Sequence, residues 1–261
     1  MKTEGSVYDR ELAEILANPE FGIDEDARRR HLRAAKLSAM ILTWLSIPAF
    51  FFAAYFSDSY RLVSMLVMLS MPWIGLLLFL KFPVLRMFHT SKSQRYAYPN
   101  LDLPFIMSAG GVVFASSSFG HLISPAAAVA AAIFSGVLIG VTFISLIPLV
   151  RQNPGLWFFF MIFGIFYGGG TLVFGNAYFD QSKATPHWSK VVGKHVSHGS
   201  RSIIYDLDLS PWLDREETES VSVSSSFYQA KTVGDPIEVL TRPGLFKIEW
   251  YTLQFEYTPS I

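Results

Sequence analysis

The chain contains no cysteine among its 261 residues. Disulfide bonds, thiolate catalysis and cysteine-ligated metal centres are therefore excluded, while the redox state of its compartment stays open. Its 21 basic and 21 acidic residues cancel, so the sequence lacks the excess positive charge that is typical of nucleic-acid binding. No internal repeat is evident, which weakens the case for a transporter built from two inverted halves.

Charge is also missing from long stretches of the chain. Between Leu103 and Phe179 the one charged residue is Arg151, and it lies in a predicted loop. Ion-coupled transporters and proton pumps place ionisable side chains at membrane depth, and zinc intramembrane proteases need paired histidine and carboxylate groups on helices. Because the sequence shows neither arrangement, active transport and intramembrane metal catalysis are disfavoured.

Long apolar runs are what the sequence has instead. The run from Ser124 to Val150 has no Asp, Glu, Lys or Arg. As a helix it would be about 40 Å long, more than the roughly 30 Å of a bilayer core. We therefore predict a membrane α-helical bundle of about five transmembrane helices within residues 37–179, at about residues 37–56, 62–80, 103–122, 124–150 and 155–175.

Small side chains recur every four residues along the fourth of these helices, and two glycines repeat that spacing in the fifth. Such rows let helix backbones approach closely, and Gly-x-x-x-Gly is their minimal form. We predict that these residues are helix-packing positions, either within one chain or between the copies of a homo-oligomer. They are Ser124, Ala128, Ala132, Gly136, Gly140, Gly164 and Gly168.

Residues 1–36 are polar and predicted to be helical, with a helix that starts at Asp24 and runs into the membrane. The polar N-terminus predicts no cleavable signal peptide. Lys and Arg accumulate on cytoplasmic flanks of membrane helices, where they also contact anionic headgroups. Ten Lys and Arg residues lie on the side of the N-terminus and four lie on the other side, which predicts a cytoplasmic N-terminus. After five crossings the C-terminus is then predicted to be extracytoplasmic. The ten are Arg28, Arg29, Arg30, Arg33, Lys36, Lys81, Arg86, Lys92, Arg95 and Arg151, and the four are Arg61, Lys183, Lys190 and Lys194.

From Gln181 onward, apolar and polar residues alternate. Three segments show this period of two, at residues 202–209, 221–227 and 246–250, and Gly and Pro residues separate them. Such alternation is typical of half-buried strands. Residues 180–261 are therefore predicted to form a small antiparallel all-β domain, a barrel or sandwich of about five strands over roughly Ser189–Tyr257.

Few residues suggest chemistry. His187, His195 and His198 are candidate metal ligands, although no carboxylate has an evident spacing to complete a site, and surface histidines are the alternative. Ser116, Ser117 and Ser118 precede His121, but no acid completes a catalytic set. Hydrogen bonding between helices is the alternative for these serines. No cofactor is expected.

Asn176 and Asp180 form an Asn-x-x-x-Asp element where the last helix gives way to the strands. Together with Lys194, Gly234-Asp235, Pro243-Gly244 and Trp250-Tyr251, this pattern resembles uncharacterised bacterial multi-pass membrane proteins with a small extracytoplasmic β-domain. The resemblance covers about the last third of the chain and implies an inner-membrane location, but it implies no activity.

Taken together, these features favour a non-enzymatic accessory, scaffold or envelope-interaction protein. Its expected partners are the lipid bilayer and a protein or envelope ligand of the β-domain, not nucleic acid. A passive channel or transporter component for a small solute is the alternative hypothesis, motivated by the small-residue helices and the Ser116–Ser118 cluster.

Overall fold

The computed structural model describes residues 7–55, 58–87, 98–117, 120–123, 125–198, 203–213 and 216–254. The chain divides into two compact units. The first, the helical unit, comprises Met1–Ser118 and Ala126–Phe174, and the second, the β unit, comprises Phe119–Pro125 and Gly175–Ile261. The predicted fold class, an apolar helical bundle followed by an antiparallel all-β domain, is confirmed.

The helices account for most of the first two-thirds of the chain. A short 3-10 helix at Pro19–Phe21 separates the first two helices, and a six-residue helix, α8 (Ser225–Ala230), lies in the β unit. The others are α1 (Val7–Ala17), α2 (Glu25–Tyr55), α3 (Asp58–Lys81), α4 (Asp102–Ser117), α5 (Pro125–Leu146), α6 (Pro148–Arg151) and α7 (Pro154–Tyr178).

Within the described residues, four helices are long and apolar enough to cross a membrane, namely α2, α3, α5 and α7. As predicted, α2 runs without a break from the polar N-terminal segment, and the Asp24 carboxylate caps it by accepting a hydrogen bond from the Ala27 N–H at 2.6 Å. Its exposed surface carries large apolar side chains, among them Trp44 at 68% exposure, and Phe134 on α5 is 75% exposed. A hydrocarbon environment suits such a surface.

Two predicted helix ends are wrong. The sequence predicts a third helix that reaches Leu122, but α4 ends at Ser117 and His121–Leu122 forms a strand. At 16 residues α4 spans about 24 Å, short of a bilayer core. The sequence predicts that the fourth helix continues to Val150, but α5 ends at Leu146, because Pro148 has no N–H to donate and begins the separate helix α6.

Aromatic rings fill the centre of the helical unit. Phe105, Phe143, Phe160 and Phe163 are almost fully buried, and the rings of Phe143 and Phe160 stack with centroids 5.0 Å apart. Phe163 stacks in turn on Tyr167 at 5.2 Å, and the Tyr167 hydroxyl donates to the Leu69 carbonyl of α3 at 2.5 Å. These contacts join α3, α4, α5 and α7 through one cluster.

The β unit is a half-barrel of six antiparallel strands in the order β1-β6-β5-β2-β3-β4. The strands are β1 (His121–Leu122), β2 (Thr185–His198), β3 (Ile203–Leu209), β4 (Glu219–Val223), β5 (Pro236–Arg242) and β6 (Trp250–Leu253). The first half of β2 pairs with β5 and the second half with β3, and a register shift between Val191 and Gly193 separates the halves. Such an irregularity bends a strand, which lets β2 pair with β5 in one part of the curved sheet and with β3 in the other.

The five strands predicted after Gln181 are present, with three differences. Phe227 lies on α8, because the Ser224 hydroxyl accepts a hydrogen bond from its N–H and caps a helix there. Phe246 and Ile248 belong to a loop before β6, not to a strand. The sheet is an open half-barrel, and its sixth strand, β1, comes from the link between α4 and α5.

Candidate functional site

A shallow, open groove lies between the two terminal strands of the sheet of the β unit, and we call it the seam groove. Its volume is about 670 Å³. Leu122 and Ile123, in and just after β1, line one side, and residues 216–220, leading into β4, line the other. The groove is therefore the place where the half-barrel stays open.

A side-chain bond crosses the half-barrel beside the seam groove. The Tyr251 hydroxyl of β6 donates to a Glu219 carboxylate oxygen of β4 at 2.8 Å, and Tyr251 itself is buried. The Trp212 ring contacts the Tyr251 ring with centroids 4.9 Å apart, and His121 stacks on Tyr251 at 5.1 Å. Among the described residues, these side-chain contacts connect the two ends of the sheet.

His121 is the ionisable group of β1 in this cluster. Burial lowers its pKa below the ordinary histidine value, although the nearby Glu219 carboxylate acts in the opposite direction. We expect the imidazole to be neutral at pH 7. Its ring then stacks on Tyr251 as a neutral aromatic group rather than as a cation.

Carboxylates dominate the rim of the seam groove. Glu216 and Glu217 are exposed there, and Glu219 is half-buried beside Tyr251. The described lining residues include no Lys or Arg, whereas Leu122 and Ile123 supply an apolar wall. The groove therefore combines one negative wall with one apolar wall.

The Asn176-x-x-x-Asp180 element fixes the loop between β5 and β6. The buried Asn176 amide donates to the Ile248 carbonyl at 2.7 Å and accepts from the Phe246 N–H at 2.9 Å. One Asp180 oxygen accepts from the Gly244 N–H and the Trp250 indole N–H, both at 2.9 Å. The backbone of Gly244 has φ +75°, and a Cβ there would overlap the Asn176 amide, so glycine is required.

Lys194 and Asp235, two further residues of the resemblance, also act on backbone groups. The Lys194 ammonium donates to the carbonyls of Tyr228 and Lys231, at and just after the end of α8, at 2.6 and 2.5 Å. The Asp235 carboxylate accepts from the Thr232 N–H at 2.7 Å and so holds the turn before β5. The residues that carry the resemblance are thus structural supports of the β unit and not a reactive cluster.

The three candidate metal-ligating histidines lie apart along β2. His195 contacts the Asp208 carboxylate at 2.6 Å, which Gly193 permits because a Cβ there would overlap that carboxylate. His187 contacts the Thr241 hydroxyl at 3.1 Å, and His198 is exposed at the end of the strand. In the part of the chain that the structure describes, no three His, Asp or Glu side chains are grouped so that they could hold a metal ion.

His187 also lines a second groove, of about 460 Å³, together with Lys183 and Arg242. The Arg242 guanidinium is already engaged there. It donates to the Ser182 carbonyl at 3.0 Å and lies 5.8 Å from the Trp250 ring centroid. These contacts fix the position of the Arg242 guanidinium in the groove and leave its positive charge in place.

The glycines predicted to pack helices lie between α5 and α7. A Cβ on Gly136 would come within 2.6 Å of the Ile165 backbone, and one on Gly164 would overlap the Gly136 carbonyl oxygen. Gly140 lies against Met161, and Gly168 against Ser135. Ala128 is buried and Ala132 faces Gly169, while Ser124 lies outside the described residues.

The serine cluster forms no bond between helices in the described residues. The Ser116 hydroxyl donates to the Val113 carbonyl of its own helix at 2.8 Å. The side chain of Ser117 and all of Ser118 lie outside the description. His121 contacts Tyr251 of the β unit.

Sequence reasoning did not find the seam groove. Its acidic wall is visible in the sequence as three glutamates at 216, 217 and 219, but its apolar wall comes from residues more than ninety positions earlier. The period-two pattern cannot reveal β1, since a strand of two residues shows no alternation. No family model, curated protein or solved structure matches this chain.

Proposed function

We propose that this chain is a multi-pass protein of a bacterial inner membrane whose β unit is an extracytoplasmic, non-enzymatic binding domain for a protein of the cell envelope. The observation that carries the proposal is the seam groove, an open concave surface between two terminal strands. Terminal strands present backbone groups that a partner chain can pair with. The structural roles of Asn176, Asp180 and Lys194 agree with a rigid support for such a surface.

The orientation rests on the distribution of Lys and Arg, with the N-terminus in the cytoplasm. It also requires that the short helix α4 crosses the membrane, because four crossings instead of five would move the β unit to the cytoplasm. Reporter fusions after Ala17 and after Gln254 test this directly. We expect the first to be active only as a cytoplasmic reporter and the second only as an extracytoplasmic one, and the reverse at Gln254 would overturn the location.

A photo-crosslinking amino acid at Thr218 of the full chain in cells tests the binding role. Thr218 is exposed in the seam groove, and Val233, which is exposed elsewhere in the β unit, is the matched control position. We expect one discrete adduct from position 218 and none from 233. The captured protein, once identified and purified, should bind the full chain in nanodiscs. The absence of any adduct at 218, 217 and 220 would overturn the proposal.

The passive-channel hypothesis has less support, because the aromatic cluster of Phe105, Phe143, Phe160 and Phe163 occupies the centre of the described helices. We expect vesicles reconstituted with the chain to show the same flux of small ions, sugars and amino acids as protein-free vesicles. A protein-dependent flux that rises on substitution of these rings by alanine would restore the channel hypothesis.

A further inference from the structure

We infer that the second groove of the β unit, which is lined by Lys183, His187 and Arg242, binds a phosphate group carried by a membrane phospholipid or by a soluble phosphate ester. This site goes beyond the proposed function and does not rest on it, because the seam groove takes no part in it. Three features of the second groove support the assignment: a polar floor, a fixed guanidinium and an ammonium group without a partner.

The floor of the second groove is polar, although it continues the apolar inner face of the half-barrel. On β5, Ile237 and Val239 are buried in the core, and Thr241 is the next residue on the same face. Thr185 and His187 of β2 lie opposite Thr241 and Val239, so they share this face. The mouths of β-barrels are frequent small-ligand sites, and a volume of about 460 Å³ lies in the usual range for such sites.

Hydrogen bonds within the floor leave one hydroxyl available. The Thr241 hydroxyl donates to the Thr185 carbonyl at 3.3 Å, and His187 Nε2 lies 3.1 Å from the same hydroxyl oxygen. Since a hydroxyl has one proton to donate, His187 carries a proton on Nε2 and donates to Thr241. The exposed Thr185 hydroxyl has no hydrogen-bond partner among the described residues, so it can donate to an anion.

Arg242 holds a guanidinium at the rim with most of its donors unused. One terminal nitrogen donates to the Ser182 carbonyl at 3.0 Å, and the guanidinium lies 5.8 Å from the Trp250 ring centroid. Within the described part of the chain, no carboxylate forms an ion pair with it. A guanidinium has five N–H donors in a planar fork that matches phosphate oxygens. Because the group is already positioned, binding costs less ordering.

Lys183 brings a second positive charge to the groove. Its side chain is exposed, and its ammonium group has no hydrogen-bond or ion-pair partner in the residues that the structure describes. A guanidinium, an ammonium and a hydroxyl together suit a tetrahedral phosphate, whose oxygens accept hydrogen bonds from several directions. Glu249 also lines the groove and opposes an anion, but two cations against one carboxylate leave the described lining positive.

Titration calorimetry of the full chain in dodecyl maltoside micelles, which contain no phosphate, tests the site. The probe is glycerol 3-phosphate, and acetate at the same ionic strength is the control anion. We expect glycerol 3-phosphate to bind at least about tenfold more tightly than acetate, because phosphate can engage more of the donors. Its affinity should also fall as salt rises from about 50 to about 300 mM, since salt screens exposed charges. Equal affinity for both anions would overturn the inference.

Single variants locate the site. Lys183→Gln should weaken glycerol 3-phosphate about fivefold, whereas Lys190→Gln, which removes the same charge from another exposed position of β2, should change its affinity less than about twofold. Glu249→Gln should strengthen binding, because it removes the opposing carboxylate. Equal losses in both lysine variants, or weaker binding in Glu249→Gln, would overturn the inference.

Native mass spectrometry of the full chain with added phosphatidylglycerol identifies the source of the phosphate. A bound lipid that is lost in Lys183→Gln and kept in Lys190→Gln supports the site with a phospholipid headgroup as its ligand. Binding of glycerol 3-phosphate without such a lipid supports the site with a soluble ester as its ligand. If neither probe binds in a way that depends on Lys183, the groove has no phosphate site and the inference fails.

Discussion

At the scale of single residues, Asp180 shows most clearly how one side chain organises the β unit. Its carboxylate accepts hydrogen bonds from the backbone N–H groups of Ser182 and Gly244 and from the Trp250 indole. Burial by itself would raise the pKa of this carboxyl, but these hydrogen bonds to the ionised form outweigh it and lower the pKa to about 2. The loop that leads into β6 therefore depends on a charged Asp180.

Asp180→Ala is expected to destabilise the β unit. The Gly244 N–H and the Trp250 indole would lose their acceptor, and each buried donor left unpaired costs about 1–3 kcal/mol. The free energy of unfolding of the full chain in detergent, followed by tryptophan fluorescence, should fall by about that amount or more. Asp206→Ala is the matched control, because the Asp206 carboxylate bonds an exposed serine hydroxyl, Ser222. An equal loss in both variants would contradict the role assigned to Asp180.

The same residue predicts a pH dependence. The folded pKa of about 2 lies below the ordinary aspartate value of 3.8, so the unfolded chain binds more protons between these two values. The contribution of Asp180 is therefore fully present above about pH 4 and is lost as the pH falls toward about 2. The difference in unfolding free energy between the native chain and Asp180→Asn should shrink over this interval. A difference that stays constant down to pH 2 would show that ionisation of Asp180 does not stabilise the loop.

At the scale of elements, the contact between α5 and α7 depends on glycine. Gly136 and Gly164 face each other so closely that a methyl group on either would overlap the backbone of the other helix. Without a hydrophobic driving force between helices in lipid, such close backbone contact is a main source of helix association. The rest of α5 carries large exposed apolar side chains, which suit contact with lipid.

Gly136→Ala is expected to separate α5 from α7. Overpacking of a tight contact costs about 1–3 kcal/mol, and the backbone of Ile165 cannot rotate away as a side chain can. The midpoint of thermal unfolding in detergent, measured by loss of monodisperse protein in size-exclusion chromatography, should decrease. Gly155→Ala is the control, because the nearest atom to its added methyl group would be the Asn153 side-chain oxygen at 3.3 Å. A decrease of the same size in Gly155→Ala would exclude the packing explanation.

The elements also show where local patterns mislead. The 246–250 segment alternates like a strand, yet Lys247 has φ +61° and the hydrogen bonds of Asn176 hold the segment as a loop. Phe227 continues the alternation of β4, but the Ser224 cap starts a helix at that point. In both segments a side chain that bonds the backbone overrides the periodicity.

At the scale of the whole molecule, the β unit is not a contiguous domain of the sequence. Residues 119–125 belong to it although they lie between α4 and α5, and they supply β1, whose residues pair with Trp250 and Tyr251. The Ile123 N–H also donates to the Glu249 carbonyl at 2.9 Å. A fragment that begins at residue 180, the boundary predicted from the sequence, would lack β1 and Asn176.

A fragment of residues 175–261 should therefore be less stable than the same fragment joined to residues 119–125 by a flexible linker. Since β1 adds backbone hydrogen bonds and Ile123 covers part of the core, we expect a gain of about 1–2 kcal/mol from the added segment. Denaturant unfolding monitored by circular dichroism measures it. A linker carrying the same seven residues in scrambled order is the control. Equal midpoints for the two linked fragments would show that β1 contributes no specific pairing.

The division into an apolar helical part and an alternating β part could be predicted from the sequence, because each part depends on local composition and periodicity. The sequence also indicated the four-residue spacing of Gly136 and Gly140 in one helix and of Gly164 and Gly168 in another, as well as the helix start at Asp24. Each of these features involves neighbours within one or two helical turns. The early end of α4, the addition of β1 to the sheet and the acidic wall opposite an apolar one became visible in the folded chain. These features depend on residues far apart in the chain, and a short strand or a groove wall has no periodic pattern of its own.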